Sequence, residues 1–298
     1  MNIKLTIGVC VKNSEDGVKV ALRSIAKQDF PHKLMKLIVV DDGSEDDTLF
    51  IVKGFISKID IKIVVYSSGG KGLGASRQIV VERAMGDYIV WIDADLMLRT
   101  NFIRKHVEFM EKNPSIGAAS PKRIASGKRT IVSILESMNA LLVNPNPKAI
   151  GTGGAIFRIK ALRQIGGFDI NIKGAGEDQD VSHRIRMSGW QLSRNSSSEL
   201  YHTMKGTWKS LWDRHFWYGY GTHFLFHKYK MQMSPWEHLP PIALVIGFKN
   251  SRQIYDLTHE KKFFVLAPLY YLFRSIARSC GFIRAHLACY GHTVSNES

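Results

Sequence analysis

The chain has 298 residues, 45% hydrophobic and 22% charged, an ordinary globular composition with ample length for a buried core. A formal net charge of +15 attracts phosphorylated substrates, anionic membrane or nucleic acid. With neither zinc-finger spacing nor an RNP-type aromatic motif, nucleic acid is not the expected partner. Cys10, Cys280 and Cys289 form no CxxC pair, which suits a reducing compartment.

The first residues, Met1 to Ile7, already read as a strand, so no secretory signal is expected and the cytoplasm is the expected compartment. Strands are predicted at Leu5 to Val11, Leu37 to Val40, Ile61 to Tyr66 and Tyr88 to Ile92. Helices are predicted between them at Asp16 to Lys27, Asp46 to Ser57 and Ala75 to Ala84. Continuous apolar strands separated by helices predict an α/β fold, a mostly parallel sheet buried on both faces. Residues 121–146 read as irregular and basic, then as a short helix, with a break at Pro145 and Pro147. Gly151 to Phe157 reads as another strand, Glu177 to Met187 as a helix, and Glu199 to Tyr201 as a short strand.

From about Ser198 aromatic, histidine and basic residues become dense. Two apolar patches follow, Leu239 to Phe248 and Phe263 to Phe273, each shorter than the ~20 residues a membrane span needs. Lys261, Lys262, Arg274, Arg278 and Arg284 flank the second. Interfacial membrane contact and a helical pair packed on the protein itself are both open readings.

Ligands of such sheets bind beyond the carboxyl ends of the strands, and acidic residues gather there. Asp41-Asp42-Gly43-Ser44 follows the second strand, fit either to accept hydrogen bonds from a base or ribose or simply to turn and cap the next helix. Asp93-Ala94-Asp95 follows the fourth. In an extended segment the two carboxylates project to one side, suiting a hard divalent ion that also holds phosphate oxygens. Glu177, Asp178 and Asp180 open a helix after a glycine-containing loop, as a helix dipole favours and as a general base at a cleft requires. Gly70 to Ala75 formally matches G-x-G-x-x-G/A, the mark of an NAD(P)-dependent oxidoreductase, but after the third strand rather than the first. It reads better as a loop bringing Lys71 and Arg77 near a diphosphate. Gly166-Gly167-Phe168 is a turn with Phe168 as an aromatic wall for an acceptor, and Trp190 is assigned to the core. His202 is a candidate to complete a metal site begun by Asp95. His215, His223 and His227 have spacings that share a helix face, but with no acid or cysteine beside them they do not define a zinc site.

Taken in order, Val11-Lys12-Asn13, Asp41-Asp42-Gly43-Ser44, Gly74-Ala75-Ser76-Arg77, Asp93-Ala94-Asp95, Gly166-Gly167-Phe168 and Glu177-Asp178-x-Asp180 resemble the family 2 glycosyltransferases of GT-A fold, over roughly residues 3–203. The resemblance implies a Rossmann-like catalytic domain at 1–203, with a nucleotide-binding half at about 1–98 and an acceptor half at about 99–203. A C-terminal helical appendage would occupy 204–298. It implies inverting transfer from a UDP- or GDP-linked sugar to a hydroxyl of a glycan or lipid-linked acceptor, with Mn²⁺ or Mg²⁺. Val11, Asn13 and Asp42 would line the nucleoside pocket, supported by Asp41. Asp93 would face ribose or sugar, and Asp95 and His202 would bind the metal. Asp178 would be the general base, and Glu177 would position it or the acceptor. The usual Arg-Asn after the glycine loop is Arg77-Gln78 here, leaving Gln78 without an inherited role. A Gln-x-x-Arg-Trp motif is absent, so single-sugar transfer is expected rather than polymerisation. The tail from Tyr218-Gly219-Tyr220-Gly221 is similar to that of members acting at membranes, so the inner face of the cell membrane is an expected location. The competing classes are the oxidoreductase and a non-catalytic basic module binding membrane or nucleic acid.

Overall fold

Alternating buried strands and amphipathic helices place most of the chain in one layered α/β unit of a computed structural model. The structure describes residues 3–127, 130–141, 147–172, 175–203, 206–229 and 239–291. The expected break at Pro145 and the loop residue Gly174 lie outside them. The chain divides into two compact units.

The first unit comprises residues 1–126, 144–173 and 177–203. It begins with β1 (Leu5–Val11), α1 (Glu15–Ala26), β2 (Met35–Asp41), α2 (Thr48–Phe55), β3 (Lys62–Ser67), α3 (Leu73–Arg83) and β4 (Tyr88–Trp91). It continues with β5 (Leu96–Leu98), α4 (Phe102–Lys112), β6 (Ile116–Ser126), β7 (Ile156–Arg158), α6 (Ile159–Gln164), α7 (Glu177–Met187) and β8 (Gln191–Thr203). Among the described residues these strands form one sheet in the order β3-β2-β1-β4-β7-β6-β8-β5. The first four strands are parallel, β7 is antiparallel to β4 and to β6, and β8 runs parallel to β6.

Every residue of β2 and β4 is buried, because helices cover both faces, whereas β3 at the sheet edge is only partly covered. One face packs Ile7, Val9, Leu37 and Val39 against Leu22 and Ile25 of α1 and Phe102 of α4. The other packs Ile38, Val40, Ile89 and Trp91 against Val80 of α3 and Val181 and Ile185 of α7. The chain winds from β1 outward to β3, then returns to β4 on the other side of β1. The order therefore reverses between β1 and β4, the place where open α/β sheets bind ligands.

Three sequence expectations are corrected. Residues 116–126 form a continuous strand where irregular chain is expected from residue 121. Pro121 is tolerated because the register with β8 shifts between Pro121 and Lys122, and a bulge does not need the missing N–H. The expected strand from Gly151 shrinks to Ile156–Arg158, since Ala155 N donates to Thr152 O at 2.7 Å and Gly154 has a φ of +79°, closing a turn before it. The Asp93–Asp95 segment is not extended: Leu96 N donates to Asp93 O at 3.1 Å, so the chain turns there, with Asp93 approaching Arg77 and Asp95 approaching His202.

The second unit comprises residues 127–143, 174–176 and 204–298. Its elements are α5 (Ile131–Leu141), α8 (Trp208–Lys228), α9 (Pro240–Thr258) and α10 (Phe263–Leu287). Thr207 caps α8 in a reciprocal box with Ser210. The apolar patches are thus stretches of longer helices, and part of each faces inward. Val132, Leu135, Leu211, Ile254, Phe263, Ala267 and Tyr270 form a core of this unit. Where α8 crosses α10, a Cβ on Gly219 would stand 1.9 Å from the Arg278 carbonyl oxygen, and one on Gly281 1.9 Å from that of Phe216. Only glycine permits so close a backbone approach. Among the described residues no helix is long and apolar enough to cross a membrane.

Candidate active site

At the carboxyl ends of the parallel strands, Asp41 ends β2 and Asp42 follows it, 5% and 8% exposed. Such burial demands partners for the carboxylates. Asp41 accepts from Ser44 N at 3.2 Å, holding the turn in which Gly43 takes a φ of +77°. Asp42 Oδ1 accepts from Ser68 Oγ at 2.5 Å and from Gly72 N at 3.0 Å. The glycine loop after β3 therefore spends one of its N–H groups on a carboxylate of the neighbouring strand. A dinucleotide loop would aim it at phosphate, so Gly70 to Ala75 does not act as a dehydrogenase fingerprint. Asn13 sits past β1 with a φ of +46°. Its side-chain oxygen accepts from Glu45 N at 2.9 Å and its N–H donates to Ser44 Oγ at 3.0 Å. Val11 is buried beside this turn at the end of β1. Val11, Asn13, Asp41 and Asp42 are thus gathered at the carboxyl ends of β1 and β2.

The second group lies past β4. Arg77, 4% exposed, pairs with Glu177 at the start of α7 and approaches Asp93 Oδ1 at 3.7 Å. It also lies 5.9 Å from the centroid of the Trp91 ring. Arg77 is not a helix-surface charge: it ties α3, α7 and the β4 end together. Glu177 is 5% exposed, and its Oε2 is buried without a hydrogen-bond partner among the described residues. Burial pushes its carboxyl well above the ordinary carboxylate range, against the pull of Arg77 and with the help of Asp178. Asp178 is half-buried, and burial raises its pKa as well, while Arg77 and a hydrogen bond from Gln179 N oppose the rise.

The third group is the metal candidate. Leu96 of β5 pairs antiparallel with His202 of β8, and this register brings His202 Nε2 to 3.2 Å from Asp95 Oδ2. Burial raises the Asp95 pKa, but the hydrogen bond and charge of His202 outweigh it and hold the carboxyl below its usual range. Half of the Asp95 side chain stays exposed, open to further ligands. Ligands at right angles on a hard cation, with bonds of ~2.0–2.1 Å, stand ~2.8–3.0 Å apart. The carboxylate–imidazole pair fits such an ion with little movement.

Two contributors went unread in the sequence. Gly151 and Gly153 form a strip between the carboxylates: a Cβ on Gly151 would lie 3.5 Å from Asp178 Oδ2, and one on Gly153 2.4 Å from Asp93 Oδ2. Arg123 of β6 donates to Gly153 O at 2.7 Å beside both positions. The strip is held from behind by buried His106, whose Nε2 donates to Gly154 O at 3.0 Å and whose pKa burial pushes down to about 3. The glycine run 151–154 was the available signal. Gln78 also gains a place: its Oε1 accepts from Phe168 N at 2.8 Å and would meet any Cβ on Gly167, so it anchors the Gly166-Gly167 turn. Phe168 itself is 3% exposed, its ring edge-on to Trp91 at 5.3 Å, which places it in the core. Lys71 stands exposed on its loop, with no ion pair to these groups among the described residues.

Known proteins resemble this chain in sequence and in fold. The family model for glycosyl transferase family 2 matches residues 6–166, and that for glycosyl transferase family group 2 matches residues 88–290. The chain belongs to glycosyl transferase family 2. It is 30% identical over 113 residues to the Staphylococcus aureus poly(ribitol-phosphate) beta-N-acetylglucosaminyltransferase TarS, a match covering 38% of this chain and 20% of that relative. The chain therefore spans only a minor part of that relative's length. In structure it is similar to the Pyrobaculum calidifontis mannosyltransferase PcManGT solved with GDP-Man and Mn²⁺, with a TM-score of 0.69 at 18% identity over 97% of this chain and 88% of that one. It is also similar to S. aureus TarS 1–349 solved with UDP, with a TM-score of 0.54 at 17% identity over 96% and 92%. These likenesses define the fold as GT-A, with a C-terminal helical region.

Proposed function

We propose that the protein transfers a single sugar, with inversion, from a UDP- or GDP-linked donor to a hydroxyl of a glycan or lipid-linked acceptor. The observation that carries this reading is the Asp95–His202 pair past β4, together with Asp93 and Asp178 against the Gly151-Gly153 strip. Val11, Asn13 and Asp42 would border the nucleoside, and Asp93 would meet ribose or sugar. A Mn²⁺ or Mg²⁺ ion held by Asp95 and His202 would neutralise the leaving diphosphate. Arg77 keeps Asp93 and Glu177 in place, and Lys71 would reach the diphosphate from its exposed loop. Asp178 would take the proton of the acceptor hydroxyl, a role its raised pKa suits. Glu177, held by Arg77, would position Asp178 or the acceptor. Phe168 would support the site from the core. Names of similar proteins support both donor bases: UDP occupies the TarS structure and GDP-Man the mannosyltransferase.

A membrane-surface acceptor is the natural companion reading. Val245 and Phe248 of α9 and Val265, Leu269, Ile283 and Leu287 of α10 are exposed, among Lys249, Lys261, Lys262 and Arg284. Apolar residues amid cations suit an anionic lipid surface.

The test is nucleotide release from a panel of UDP- and GDP-sugars with Mn²⁺. Release from one donor, lost in Asp178→Asn when acceptor is supplied, supports the proposal. No release from any donor in the folded protein refutes it.

A further inference from the structure

Three imidazoles from two helices converge in the helical unit. His223 and His227 lie one turn apart on α8, and His286 lies in the last turn of α10. A spacing of four puts the first two on one helix face, and the close α8–α10 crossing at Gly219 and Gly281 lets the third reach them. Ring nitrogens of all three lie within 4.8 Å of one another. His223 is fully buried, His227 partly buried and His286 exposed.

The hydrogen bonding fixes what the buried ring presents. His223 Nδ1 lies 2.6 Å from the Tyr290 carbonyl oxygen. A carbonyl can only accept, so Nδ1 carries the proton and the neutral ring has its lone pair on Nε2. That Nε2 stands 3.3 Å from His286 Nδ1 and 3.3 Å from His227 Nε2. A backbone carbonyl gripping the far nitrogen is how metal-binding imidazoles are oriented. The spacing matches as well. Two nitrogens bound tetrahedrally at ~2.0–2.1 Å from an ion stand ~3.3–3.4 Å apart. The rings are not stacked: His223 is inclined by 53° to His227 and by 63° to His286. They meet at their nitrogens.

We propose that His223, His227 and His286 form a site for a borderline transition-metal ion of the zinc class, tying α8 to the end of α10. Three imidazoles select such ions over Mg²⁺ or Mn²⁺, which prefer oxygen donors, so this site is chemically distinct from the donor-site cation. The fourth position is left to water or an exogenous ligand.

The test uses the full chain without a histidine tag, stripped with chelator and titrated with Zn²⁺ against a chromophoric chelator and with Co²⁺ by visible absorption. The Asp95→Ala background removes the other candidate metal site. The expected result is one equivalent bound with a Kd below about 10 μM, the intense visible bands of tetrahedral Co²⁺, and a Zn²⁺-dependent rise in Tm. Because His223 is fully buried, the deciding variants are the more accessible His286→Ala and His227→Ala, checked for unchanged circular dichroism. Each should weaken binding about 100-fold and abolish the Tm rise. Weaker binding by the parent, or equal binding by either variant, overturns the proposal.

Discussion

Gly153→Ala tests the arrangement of the site without touching a titratable group. Gly153 does not have a positive φ, so alanine fits the backbone. The new Cβ would stand 2.4 Å from Asp93 Oδ2 and 3.1 Å from Arg123 Nη2. Ordinary contacts begin near 3.4 Å, so the Asp93 carboxylate must withdraw by about 1 Å, and a misplacement of that size costs on the order of 100-fold in rate. That equals about 2.7 kcal/mol of transition-state stabilisation. Asp93 is a partly exposed side chain that can rotate away, so little stability should be lost. The assay is kcat/KM for nucleotide release, with Tm measured alongside. Gly54→Ala is the control: nothing lies within 4 Å of its Cβ, and helix propensity should stabilise the protein by about 0.5–1 kcal/mol at unchanged activity. Activity of Gly153→Ala within about threefold of the parent would refute the placement of Asp93 in the site.

Arg77→Met strips the partner from buried Glu177 and should cost about 3–5 kcal/mol, a fall in Tm on the order of 10 °C by calorimetry. The loss should be larger at pH 8 than at pH 6, because the Glu177 pKa is raised in the fold, so protonation relieves the buried charge and stability falls as pH rises through that pKa. Gly219→Ala and Gly281→Ala push Cβ atoms into backbone oxygens at 1.9 Å and should each lower thermal stability by about 1–3 kcal/mol or more, whereas an unchanged Tm would deny the close crossing of α8 and α10. If Asp178 is the base, kcat/KM should fall with decreasing pH along a limb above the ~3.9 of an ordinary aspartate, since burial raises its pKa. A profile flat down to about pH 4.5 would argue against that role.

Much of this was legible because the physics is local. Strands such as Met35–Asp41 and Tyr88–Trp91 are buried on both faces and announce themselves as apolar runs, and acids at their carboxyl ends mark a ligand edge. What was hidden depends on chain brought from far away. Pro121 argued against a strand until the bulge opposite β8 removed the need for its N–H. The Asp93–Leu96 turn interrupts the alternation of an extended segment, and Asp95 finds His202 through the β5–β8 register. Gln78 acquires meaning only when the Gly167 turn packs on it, and His223 only when α10 delivers His286. Phe168 looked like a wall because an aromatic after two glycines is exposed in an isolated turn, yet the turn folds its ring onto Trp91.

The most direct measurement of the central claim is a calorimetric titration of UDP, and then GDP, with and without Mn²⁺. One nucleotide is expected to bind only with the metal, Asp95→Ala to abolish this binding, and His286→Ala to leave it intact. Binding that is equally tight without metal and in Asp95→Ala, or no binding of either nucleotide, would contradict it.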